Sequence, residues 1–177
     1  MTITRRSSLL DVIRIVSLAL SRAGIRAVLT GGASASLHTN GGYLSHDLDF
    51  ILQSVTTQTA LDAALAQIGF QRSGQLYQHP DSKFFVEFPK GPLAIGDDDF
   101  VEPVLVTVGR SKVLSLSATD SCRDRLAAFY FWRDRQSLSV AVSIAKTTRV
   151  DVARIRAWSE KEGHGASFLE FERLLTR

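Results

Sequence analysis

The run Leu29-Thr30-Gly31-Gly32-Ala33-Ser34, followed after a polar loop by His46-Asp47-Leu48-Asp49-Phe50-Ile51-Leu52, constrains the fold more than any other part of the chain. The apolar residues before Gly31 predict a strand, the two glycines a turn, Ala33 to Leu37 a short helix, and Asp47 to Leu52 a second strand. Alternate residues of a strand share a face, so Asp47 and Asp49 project together while Leu48, Phe50 and Leu52 face a core. Gly31 and Gly32 let backbone N–H groups come close to a phosphate without side-chain obstruction. Two carboxylates on one face repel each other unless a cation sits between them. Beside a phosphate-binding turn, the expected cation is Mg²⁺ shared with a nucleoside triphosphate.

Gly-Gly, a helix, a loop and then Asp-x-Asp at the start of a strand resembles the DNA polymerase β-like nucleotidyltransferase superfamily. That pattern includes a third carboxylate on a later strand, and Phe84-Phe85-Val86-Glu87-Phe88 offers Glu87. The downstream wording, Asp124-Arg125-Leu126-Ala127-Ala128 and Arg133-Asp134-Arg135-Gln136-Ser137-Leu138, is most similar to the bacterial nucleotidyltransferases grouped with the AbiEii-type toxins. The resemblance implies an α/β (α+β) fold, a polymerase β-like core with a mixed sheet. It also implies that the glycine turn and a nearby hydroxyl, here Ser34, hold the nucleotide phosphates. The family often has serine directly after the first glycine, where this chain has Gly32. In related enzymes the downstream region supplies basic residues to the triphosphate, which makes Arg125 a nucleotide-binding candidate. Lys83 and Lys146 are further candidates. The family often shows lysine at the position of Arg125 and an acid at the position of Ser137.

The length of 177 residues suits one domain, or one domain with a small helical appendage, and is enough to bury a core without disulfide staples. Cys122 is the one cysteine, so no internal disulfide forms and a reducing compartment fits. Asp11 and Arg14 interrupt the apolar run after Arg5-Arg6, which excludes a secretory signal, and no run is long enough to span a bilayer. A cytoplasmic protein is expected. The net charge of +3 lies entirely in residues 120–177, which hold eleven basic and eight acidic side chains against ten of each before them. Such an excess reads either as solvated helix faces or as a basic wall facing a triphosphate or an RNA acceptor.

Along the chain, Ser8 to Ala23 has a helical apolar stripe closed by Gly24, and Arg26 to Thr30 is a short strand. Thr57 to Ile68 is the next helix, stopped by Gly69. Phe70 to Arg72, Gln75 to Gln78 and Lys83 to Phe88 read as short strands. Val104 to Val108 and Lys112 to Leu116 form a hairpin about Gly109-Arg110-Ser111. From Ala118 the chain is helical: a helix capped by Thr119 or Asp120 and running to about Asp134, then Leu138 to Lys146, a helix from Asp151 to Gly163, and Phe168 to Leu175. The expected architecture is a nucleotidyltransferase core over 1–117 packed against a C-terminal helical bundle over 118–177.

Each candidate has a plainer reading. Asp47 and Asp49 serve as capping charges if the glycine turn is only a turn, and Ser34 as a helix-start residue. Glu87 sits in an apolar run, where a charge is costly to bury unless paired or metal-bound, or else points outward from an edge strand. Asp97-Asp98-Asp99 and Glu102 compete for the place of third acid. His46 directly precedes Asp47 and is placed to line the site; His38, His79 and His164 have no zinc-site or triad spacing. Trp132 and Trp158 read as core.

Together these readings predict nucleotidyl transfer. Asp47 and Asp49 hold two Mg²⁺ ions, with Mn²⁺ as an alternative, and Glu87 helps activate an acceptor hydroxyl that attacks the α-phosphate of an NTP such as ATP. The resemblance favours a toxin of a toxin–antitoxin pair that transfers a nucleotide to RNA, such as a tRNA 3′ end, or to a protein, with a cognate antitoxin as partner. The alternatives are a small-molecule enzyme of the aminoglycoside-modifying kind and an inert binding protein that keeps the fold.

Overall fold

A computed structural model describes residues 2–176. Helix α1 (Leu9–Arg22) starts at a reciprocal cap: Ser8 Oγ accepts from the Asp11 amide, and the Asp11 carboxylate accepts from the Ser8 amide. Its stripe of Leu9, Val12, Ile13, Val16 and Leu20 is buried. Strand β1 (Ala27–Thr30) passes without a loop into α2 (Gly31–Leu37). The helix therefore begins at Gly31, two residues earlier than the sequence predicts, because Gly31 adopts φ 60° and makes the corner within one residue.

The remaining elements are β2 (Asp47–Leu52), α3 (Gln58–Ala66), β3 (Gln71–Ser73), β4 (Leu76–Gln78), β5 (Phe85–Glu87), β6 (Val104–Val108) and β7 (Ser111–Ser115). Four helices follow: α4 (Ala118–Trp132), α5 (Arg135–Thr147), α6 (Val152–Lys161) and α7 (Gly165–Leu175). The sheet is seven-stranded and mixed, in the order β3-β4-β5-β2-β1-β7-β6. Strand β1 runs antiparallel to β2 and parallel to β7, and β2 runs parallel to β5.

Strand alternation sends the two faces of the sheet into different cores. Leu29, Leu48, Phe50, Val86 and Val113 pack against α1 and α3. Val28, Ile51 and Leu116 pack with Leu126, Phe129, Ile144, Ile155, Trp158 and Phe168 from the helices after Ser117. The second core thus draws on both parts of the chain. The helix caps fall earlier than expected: Ser117 caps α4, with its Oγ accepting from the Asp120 amide (3.0 Å), and Asp134 caps α5.

Trp158 is buried, as expected, and donates its indole N–H to the Ile95 carbonyl (3.2 Å). Trp132 is 77% exposed and is not core. It ends α4, where Arg133 turns the chain at φ 56°, past the edge of the packed surface. Among the described residues no helix is long and apolar enough to cross a membrane.

Candidate active site

The ladder registers build the acidic face. Asp49 stands opposite Thr30 across the β1–β2 pair and opposite Glu87 across the β2–β5 pair. Residues in register on neighbouring strands share a face, and so do residues two apart on one strand. Asp47, Asp49 and Glu87 therefore project on one side. Leu48, Phe50 and Val86, their immediate neighbours along the strands, fill the core on the other side. Asp47 is exposed, while Asp49 and Glu87 are partly buried.

The glycines are required by what crowds them. A Cβ on Gly31 would lie 2.3 Å from Asp49 Oδ2, and one on Gly32 would lie 2.6 Å from Ser45 Oγ and 2.9 Å from the Tyr43 hydroxyl. The corner between β1 and α2 is thus pressed against the acidic strand and the segment before it.

Helix α4 closes the site. Burial first, then the charges of Glu87, Asp47 and Asp124, push the Asp49 carboxyl up to about 6, against a smaller opposing pull from Arg125. Arg125 holds its neighbour Asp124 through Nη2 (2.7 Å) and Nε (3.0 Å) to the same Oδ2, and its Nη1 reaches 3.5 Å from Ser137 Oγ. Ser137 Oγ in turn donates to Asp134 Oδ2 (2.7 Å). Burial works against the Arg125 charge, but Asp124, Tyr43 and Asp49 more than offset this and raise its pKa.

The structure brings together Asp47, Asp49, Glu87, Gly31, Gly32 and Arg125. Ser34 does not join them. It is fully buried, with its Oγ 2.9 Å from Ser115 Oγ and 2.7 Å from Ser121 Oγ, so it bonds β7 and α4 to α2. Lys83 is exposed, with Nζ 5.2 Å over the Phe84 ring, two residues before Phe85, which stands opposite Asp47. Lys146 is exposed near the C-terminal end of α5. His46 is exposed at the start of β2, and its carbonyl accepts from the Phe85 amide (3.2 Å). His38, His79 and His164 pack elsewhere, against the Leu116 carbonyl, Phe70 and Tyr130. Of the competing acids, Asp98 is ion-paired to the buried Arg123, which also binds Asp120 (2.8 Å).

Three residues go unassigned in the sequence reading: Asp124, Tyr43 and Ser45. Asp124 had a signal, since it directly precedes Arg125 in the Asp-Arg-Leu-Ala-Ala run. Tyr43 and Ser45 lie in a glycine-bearing loop with no periodicity to mark them.

Among the described residues, no three His, Cys, Asp or Glu side chains converge tightly enough to form a ready metal cage. The donor set nevertheless suits a hard divalent cation: all-oxygen carboxylates on one face, one of them holding its proton unusually tightly because it is desolvated and its neighbours are also anionic.

An acidic strand pair lies beside a glycine corner, on a mixed sheet backed by helices, and comparison with known proteins places this arrangement among nucleotidyltransferase folds. No family model matches the chain, and no curated protein does. Solved structures do. An antigenic nucleotidyltransferase-like protein from Paracoccidioides brasiliensis superposes with a TM-score of 0.60 at 15% identity, over 81% of this chain and 78% of that one. The antibiotic-resistance factor ANT(2″)-Ia, in complex with adenylyl-2″-tobramycin, gives 0.55 at 13% identity over 93% of this chain and 98% of that one. Its solution structure gives 0.54 at 13% identity over 94% of each.

Proposed function

We propose that this chain is a Mg²⁺-dependent nucleotidyltransferase that moves a nucleoside monophosphate from an NTP to an acceptor hydroxyl. The observation that carries this reading is the register that sets Asp49 beside Glu87, two residues from Asp47 and in contact range of Gly31. Asp47 and Asp49 are the residues to hold the cation, with Glu87 alongside. When bound, Mg²⁺ neutralises charge on the attacking and leaving oxygens of an in-line displacement. Glu87 takes the proton of the acceptor hydroxyl as it attacks the α-phosphate, and pyrophosphate leaves. The glycine corner admits the phosphate chain, and the Arg125 guanidinium, released from Asp124, pairs with its oxygens.

Two acceptor readings each have support. For RNA, in a toxin-type role with a cognate antitoxin, the support is a set of exposed cations with no ion pair among the described residues: Arg133, Lys146, Arg149, Lys161 and Arg173. The support is less than the full positive excess suggests, because Arg123, Arg125, Arg135, Arg154 and Arg156 each meet a carboxylate. For a small cationic acceptor, the support is the near-complete mutual coverage with ANT(2″)-Ia, together with the exposed Asp97, Asp99 and Glu102. One experiment addresses both. The protein is incubated with each labelled NTP and either total RNA or an aminoglycoside panel, with Mg²⁺ or with EDTA. Label must enter one acceptor class in Mg²⁺ only, and Asp47→Ala must abolish it while leaving thermal unfolding intact. No transfer to any acceptor, or full transfer by Asp47→Ala, refutes the reading.

A further inference from the structure

Gly32 has no side chain, and the space a side chain would occupy is filled from elsewhere. Ser45 Oγ and the Tyr43 hydroxyl lie 2.6 and 2.9 Å from where its Cβ would stand, so both oxygens sit directly on the corner between β1 and α2. Ser36 fixes that approach. Its Oγ donates to the Gly32 carbonyl (3.0 Å) and accepts from the Ser45 amide (3.2 Å), clamping the segment before β2 onto the glycine.

Neither hydroxyl is used within the fold. Ser45 is only 8% exposed, yet its Oγ makes no hydrogen bond among the described residues, and the Tyr43 hydroxyl makes none either. Neither oxygen is sealed from solvent, so two hydroxyls left unpaired by the fold, side by side on the corner, are free to bond a partner from outside the chain. Their surroundings specify its chemistry. The Arg125 guanidinium lies within electrostatic reach of Tyr43, and Asp49 Oδ2 borders the adjacent Gly31. Two O–H donors and a guanidinium around a residue without a side chain match the oxygens of a phosphate, with a carboxylate beside them to share its cation.

We propose that Tyr43 and Ser45 are nucleotide-binding residues, whose hydroxyls donate to phosphate oxygens of the NTP over Gly32. They take the part that Ser34, bonded to Ser115 and Ser121, does not fill. This assignment rests on the nucleotidyltransferase reading above.

Ser45→Ala and Tyr43→Phe each delete one oxygen and little else. Each variant and the wild type are titrated calorimetrically with ATP, GTP, CTP and UTP in Mg²⁺, and their thermal unfolding is recorded without nucleotide. For the NTP that the wild type binds best, loss of one hydroxyl to a charged phosphate raises Kd about 10-fold or more. Melting of the free protein stays at the wild-type value, which a merely structural role does not allow. Gly32→Ala keeps both hydroxyls but pushes them off the corner, and weakens binding to a similar degree. Wild-type affinity in Ser45→Ala overturns the Ser45 assignment, and wild-type affinity in Tyr43→Phe overturns that of Tyr43; the transfer reading survives both. If Tyr43→Phe fails to fold, Ser45→Ala decides. A wild type that binds none of the four nucleotides overturns both this assignment and the transfer reading.

Discussion

Asp49 makes the metal-free protein less stable than it would be with a neutral residue in its place. Its carboxyl is partly buried and faces Glu87, Asp47 and Asp124, and its pKa rises from 3.8 to about 6. A folded-state value above the unfolded one means that the folded protein binds the proton more tightly. Stability therefore falls as pH rises through the window from 3.8 to about 6, and the full penalty is present above it. A shift of about two units corresponds to about 3 kcal/mol. Replacing the carboxylate with an amide of the same size removes that cost, so Asp49→Asn is expected to melt roughly 6–12 °C above wild type at pH 7.5 in EDTA. At pH 3.8 or below, the two proteins are expected to melt together. Added Mg²⁺ is expected to raise the wild-type melting temperature and leave the variant unmoved, since only a protein that binds the ion gains stability from it. Differential scanning calorimetry across that pH range reads all three effects. Equal melting at pH 7.5, or a gap that persists unchanged at acid pH, refutes the account of Asp49 as an uncompensated charge.

Gly31→Ala combines a strained φ with a Cβ 2.3 Å from Asp49 Oδ2, and is expected to abolish nucleotide transfer and to lower the melting temperature; a transfer assay at wild-type rate contradicts this. Glu87→Gln leaves Asp47 and Asp49 in place and is expected to bind Mg²⁺-NTP while losing about 10²–10⁴ in rate, measured by titration and single-turnover kinetics. If Asp98→Asn does the damage and Glu87→Gln does not, the third acid is misassigned. Arg123→Ala leaves Asp98 without its ion pair and takes from the buried Asp120 the nearer of its two arginine partners, Arg154 (3.1 Å) remaining, and is expected to cost about 3 kcal/mol in denaturant unfolding, because breaking a buried pair leaves charge poorly compensated.

The parts of the site that were legible in the sequence are those set by local rules. Period-two alternation places Asp47 and Asp49 on one face and Leu48 and Phe50 in the core, and a Gly-Gly pair at a strand end marks a corner. Glu87 was legible only through the order of motifs, because its value lies in a parallel pairing with β2 that crosses α3 and the two strands β3 and β4. Ser34 was misplaced for a related reason. A serine three residues after a glycine corner reads as close to a ligand, but on a short helix that position turns inward, to hydroxyls 81 and 87 residues further along the chain.

Beyond the resemblance that made Arg125 a candidate, no local feature of the sequence reveals the arrival of α4 over the acidic face. Nothing local ties Asp124 to Asp49, and their meeting depends on the packing of α4 against α2 through Ser121 and Ser34. That packing explains why the chain tolerates the arrangement. Asp49 on β2 and Asp124 repel each other, yet the apolar residues Val28, Ile51, Leu126 and Phe129 are buried on the same side of the sheet. Burial of those side chains, worth about 1.5–3 kcal/mol each, outweighs the penalty of about 3 kcal/mol at Asp49, whose largest cause is desolvation, with repulsion after it. The hydrophobic contacts that fix α4 hold four acids and one arginine around a glycine corner, an excess of negative charge that the proposed cation would compensate.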